Sequence, residues 1–125
     1  MNNIKSAKII NISDINEEHI TLLIDGFVVE CFVNSCPYAI QTGETYDIEL
    51  SLDLLDTYTI KKAPDTNALI EKKPEGYSYI LSGTLRNDVF ESFTAFFDED
   101  VHYDHPDLND HFICLEVNRI NVSFV

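Results

Sequence analysis

The chain has no tryptophan, one methionine, four glycines, four prolines and three cysteines, and only eight of its 125 residues are lysine or arginine. Each scarcity removes a class of function. Isolated glycines cannot build a Walker or dinucleotide-binding loop, which needs several of them together so that backbone amides can approach a phosphate. Without tryptophan, glycosidase chemistry lacks an aromatic sugar platform, so paired carboxylates alone carry no argument for it. An odd cysteine count excludes a complete disulfide framework within one chain; Cys31, Cys36 and Cys114 read as reduced thiols of a cytoplasmic protein. No run approaches the roughly 20 apolar residues that span a bilayer. The opening Met1-Asn2-Asn3-Ile4-Lys5 leads into neither an apolar export core nor a small-residue cleavage site. The expectation is a soluble chain with no membrane partner.

Positive charge is scarce in a patterned way. Against eight basic residues stand 22 acidic ones, a net charge of −14. Such a chain repels phosphate backbones and attracts cationic partners. No lysine or arginine occurs between Lys8 and Lys61 or between Arg86 and Arg119. Five of the eight basic residues, Lys61, Lys62, Lys72, Lys73 and Arg86, fall in the middle of the chain. The layout is two acidic blocks around a locally basic connector.

What the chain does have is apolar residues, 45% of the total, in period-two patterns. Tyr46, Ile48, Leu50 and Leu52 alternate with Asp47, Glu49, Ser51 and Asp53, which predicts a strand with one wet face. Ile20–Ile24 and Phe27–Val33 flank Asp25-Gly26, a pair suited to the positive φ angles of a type I′ hairpin turn. A strand is expected over Lys5 to Ile12, with the polar stretch 13–18 as its connection onward. A second hairpin is expected from 77–85 to 89–93 across Asn87-Asp88. Near the end, Ile113, Leu115 and Val117 share one parity and Ile120, Val122 and Phe124 the other, so a bulge or tight turn is expected at Asn118-Arg119. One short helix is expected near 65–73, between Asp65 or Thr66 as cap and Pro74 as stop.

These elements predict an all-β, mainly antiparallel protein: a small closed or partly open barrel, or a sandwich. With no repeat and no Pro/Gly-rich linker, residues 1–125 read as a single domain. The order of strands, short helix and further strands resembles the five-stranded Greek-key barrel of the OB type. That resemblance is one of layout and implies no function.

The segment 98–111 concentrates the chemistry-bearing side chains. Asp98, Asp100, Asp104, His102, His105 and His111 are the candidate ligands of a divalent metal, because carboxylates and imidazoles together suit such ions. The EF-hand pattern fails from Asp98, since His102 and Tyr103 occupy the positions of a ligand and of the turn glycine. Asp98, Glu99, Asp100, Asp104, Asp107 and Asp110 are the candidate contacts for a basic protein partner. No local signature surrounds any cysteine, no cofactor motif is present, and the pattern favours a binding protein over an enzyme. The leading expectation is a small acidic interaction module of the inhibitor or immunity type. The alternatives are a metal-binding β-barrel using the 98–111 segment and an OB-like nucleic-acid binder using Lys61, Lys62, Lys72 and Lys73, the last disfavoured by charge. The sequence leaves the oligomeric state open.

Overall fold

A computed structural model describes residues 4–15, 18–54, 58–66, 68–74 and 77–125, without the side chains of Glu99, Asp100 and His102. The described chain is all-β, with one six-residue helical segment, Glu99–Asp104 (α1), and a 3-10 turn at Pro106–Leu108. By backbone contacts it divides into two compact units, one of Met1–Ser51 with Ile120–Val125 and one of Leu52–Arg119.

The first unit is a closed barrel. Its strands are β1 (Ile4–Ile12), β2 (His19–Ile24), β3 (Phe27–Ser35), β4 (Thr45–Asp53) and β11 (Arg119–Phe124), in the order β1-β2-β3-β11-β4. The β2–β3 hairpin turns on Asp25 and Gly26 at φ 50° and 85°, both in the left-handed region that a type I′ turn requires. β11 runs parallel to β3, whereas β1 pairs antiparallel with both β2 and β4. The alternation read from β4 holds: Ile48 and Leu50 are buried while Asp47, Glu49 and Ser51 are exposed. Ile9, Ile20, Leu22, Ile24, Val29 and Val122 join them in an aliphatic core closed to solvent. The β1–β2 register shifts between Ile9 and Asn11, which leaves Ile10 as the extra outward residue and bends the strand into the barrel.

The second unit is a sheet with β7 (Tyr79–Arg86) at its centre. Its other strands are β5 (Ile60–Lys62), β6 (Ile70–Lys72), β8 (Val89–Glu91), β9 (Ala95–Phe97) and β10 (Phe112–Val117), and the main path runs β5-β10-β7-β8-β9. One edge of β7 pairs with β10; the other pairs with β6 at Tyr79–Leu81 and with β8 at Thr84–Arg86. The change of partner falls at Ser82-Gly83. There the Ser92 hydroxyl lies 2.7 Å from the Ser82 carbonyl and 2.9 Å from that of Leu69, tying the two partner segments to β7. Gly83 sits where any side chain would collide, since a Cβ would lie 2.1 Å from the Glu91 carbonyl oxygen.

One expectation is corrected and one is given its meaning. The stretch expected as a helix near 65–73 supplies strand β6 instead, with position 67 outside the described residues. So short a segment gains too few internal hydrogen bonds to offset helix nucleation, whereas the edge of β7 offers Ile70–Lys72 a ready-made ladder. The parity switch expected as a bulge or tight turn is a one-residue bend at Asn118 between β10 of the sheet and β11 of the barrel, where the chain passes from one unit to the other.

Gly83→Ala is expected to lower the urea midpoint sharply, at a cost of about 3 kcal/mol or more, because backbone rather than a movable side chain must yield. The expectation of a single domain over 1–125 is checked by unfolding: coincident far-UV circular dichroism and tyrosine fluorescence transitions would support it, and separated midpoints would mean that the two units unfold independently.

Candidate functional site

The acidic and histidine-rich stretch 98–111 lies in the second unit and holds the helical turn α1 and the 3-10 turn Pro106–Leu108. Asp98 begins it by accepting a hydrogen bond on Oδ1 from the Val101 amide at 3.3 Å, an N-terminal cap on α1, while its own amide donates to the Asp88 carbonyl. Val101 and Leu108 are buried and anchor the helical turn and the 3-10 turn. The segment then closes on the β7–β8 hairpin. Asn109 Oδ1 accepts from the Asn87 amide at 2.6 Å, and the Asp110 amide donates to the Leu85 carbonyl. Asn87 and Asp110 take φ values of 54° and 64°, conformations that short polar side chains tolerate.

The side chains divide by role. Asp98 is half-buried at the helix cap, whereas Asp104, Asp107 and Asp110 are exposed. Tyr58 donates its phenol to Asp104 Oδ2 at 3.4 Å, and its ring meets His105 edge-on at 5.6 Å. His111 is exposed and its backbone bonds Leu108 and Leu85. Among the described residues no three His, Cys, Asp or Glu side chains converge as metal ligands would. The partner candidate Glu99, the metal candidate His102, and Asp100, a candidate for both, have side chains outside the described set.

The basic connector has local explanations. Lys61 and Lys62 lie exposed on β5, the edge strand at one end of the sheet path, where lysines discourage pairing with another chain. Lys72 places its ammonium 6.0 and 5.7 Å from the rings of Tyr77 and Tyr79. Lys73 pairs with Glu116, Arg86 with Glu91 and Arg119 with Asp53.

Sequence reasoning missed a concavity in the barrel unit. It is an open groove between the end of β1, the end of β3 and the loop 36–42. Cys36 lies on it, exposed, its thiol 3.0 Å from the Tyr38 carbonyl. Partial desolvation, then the neighbouring Cys36, Tyr46 and Asp47, raises the Tyr38 phenol above its ordinary value. The phenol donates to the Val125 carbonyl at 3.0 Å. The only hint in the sequence was the Cys36-Pro37-Tyr38 loop; nothing in it joined that loop to Ile12–Asp14.

Fold and site define an all-β protein that carries a structured, acidic segment. The profile of the family described as Uncharacterised conserved protein UCP019853 matches residues 3–125, and the chain belongs to that family. Among curated proteins none matches it. Among the described residues no helix is long and apolar enough to cross a membrane.

The thiols give a direct check of the packing. Iodoacetamide at neutral pH is expected to modify Cys36 in the folded chain and to spare buried Cys31 until unfolding; modification of native Cys31 would contradict the barrel core. Burial, then the nearby Glu30 carboxylate, pushes the Cys31 thiol far above its ordinary 9.0. The unfolded chain therefore sheds this proton first as pH rises. Its contribution is constant below 9.0 and falls above it, so Cys31→Ala should flatten part of the alkaline loss of stability in urea titrations.

Proposed function

We propose that the protein is a small acidic interaction module, of the inhibitor or immunity type, that engages a basic protein partner through the segment from Asp98 to Asp110. One observation carries the reading. Asp104, Asp107 and Asp110 are exposed on a backbone fixed by buried Val101 and Leu108, and no ion pair among the described residues involves them. Carboxylates held in place and left unneutralised steer a cationic partner and lose little order when it docks.

The strand order β1-β2-β3-β11-β4, with β3 and β11 parallel, supports reading the barrel as OB-like. The outward side of its β2–β3 hairpin carries Leu23, Val28, Glu30 and a His19–Phe32 ring pair at 5.7 Å. Single-strand binding would want lysine or arginine interleaved with such rings, so the acidic-module reading stands ahead of a nucleic-acid binder. Free thiols fit a cytoplasmic setting.

The test replaces Asp104, Asp107 and Asp110 together by Asn. Partners retained from native lysate at low salt by the wild-type chain should associate about tenfold more slowly with the variant and should be released as salt rises. Retention that ignores both the substitution and ionic strength would overturn the reading.

A further inference from the structure

The groove of the barrel unit has a volume of about 580 Å³ and is lined chiefly by Ile12, Asp14, Val33, Cys36, Tyr38 and Ile40. Its walls are fixed by the fold. The Ser13 amide donates to the His19 carbonyl, that of Val33 to Glu18 and that of Gly43 to Ile9, so the ends of β1 and β3 and the loop before β4 are tied to neighbouring chain. Tyr38 is held by the Val125 carbonyl and by ring contacts to Tyr46 and Phe124 at 5.8 and 6.4 Å.

Two features select the occupant. Polar and apolar atoms share the lining about equally: aliphatic side chains stand beside hydroxyls, the thiol and one carboxylate, Asp14, and no lysine or arginine lines it. A ligand matched to it carries an apolar group beside a positive charge. Tyr38, in the lining, is 39% exposed, and Ile15, next in sequence to Asp14 but outside the lining, is 98% exposed. A small molecule confined to the groove would leave Ile15 in water, whereas a polypeptide segment running on past Asp14 is long enough to cover it as well.

We infer that the groove docks a segment of a basic protein partner, seating an aliphatic side chain against Ile12, Val33 and Ile40 and an adjacent lysine or arginine against Asp14. This rests on the reading of the chain as an acidic interaction module and adds a second, apolar contact to the carboxylates of 98–110.

Cys36 makes occupancy measurable on the full chain. The probe is a short peptide of alternating Leu and Lys, compared with Leu/Glu and Ser/Lys peptides, and the readout is the rate of iodoacetamide modification at Cys36, located by mass spectrometry. The Leu/Lys peptide should slow modification about tenfold at saturation, and both comparison peptides should protect far less. Asp14→Asn and Ile40→Ser should each weaken protection about tenfold in peptide concentration, with circular dichroism confirming that both variants fold. Glu49→Gln, an exposed carboxylate on β4, should leave it unchanged. Absence of protection, equal protection by all three peptides, or equal loss in Glu49→Gln would overturn the inference. The two proposals fail separately. Loss of lysate partners in the Asp104, Asp107 and Asp110 variant, with Cys36 unprotected by peptide, rejects the groove and leaves the acidic segment. Protected Cys36 with all partners retained by that variant does the opposite.

Discussion

Barrel closure depends on the last strand. β1, β2, β3 and β4 follow one another in the chain, but the circle is completed only when β11 lies between β3 and β4. Between β4 and β11 the chain builds an entire second unit. Bringing the ends of so long an excursion together costs conformational entropy, and a disordered insertion would charge that cost to the barrel. Here the excursion folds on its own sheet and is tied at its root. The Asn118 amide donates to the Asp53 carbonyl at 2.8 Å, the Asn118 side chain reaches Asp53 Oδ2, and Arg119 pairs with the same carboxylate at 3.0 Å. An ion pair this exposed contributes at most about 1 kcal/mol. Its importance is positional, because it fixes the point from which β11 starts.

This explains how much of the fold the sequence disclosed. Local signals were sound where neighbours in sequence are neighbours in space: the Asp25-Gly26 hairpin, the alternation in β4 and the strand before residue 12 all stand as expected. They failed where the local pattern is short or joins two sheets. Ile70–Lys72 has apolar and charged residues compatible with either helix or strand, and only the open edge of β7 decides between them. The parity switch at Asn118 was visible, but its meaning depends on two sheets that no local pattern can separate.

The candidate site was less legible for a related reason. Composition located the acidic segment, yet could not show that residues 98–111 are ordered, since the order comes from Val101 and Leu108 entering a core and from Asn87 and Leu85 bonding to it. The basic connector looked like a potential phosphate contact as sequence. In three dimensions its lysines and arginine guard a sheet edge, lie beside tyrosine rings or neutralise Glu116 and Glu91. The groove was invisible because its walls come from Ile12–Asp14, Val33 and residues 36–42, stretches with no shared motif.

These assignments sharpen the meaning of a net charge of −14. A carboxylate that caps a helix or pairs with arginine belongs to the fold, as Asp98, Asp53 and Glu91 do. Past the Asp98 cap, most bonds of the segment to 110 run through backbone groups and the Asn109 side chain; among its exposed carboxylates Asp104 accepts from Tyr58 and Asp110 from Asn109 at 3.4 Å, and Asp107 is exposed beside them. Removing their charge leaves the buried contacts intact, whereas the same change at Asp98 or Asp53 removes a capping or pairing group. Charge in this chain is therefore most separable from architecture at Asp107, whereas Asp104 also accepts the Tyr58 phenol and Asp110 the Asn109 side-chain amide, so the proposed partner contacts differ in how far they can change without touching the scaffold.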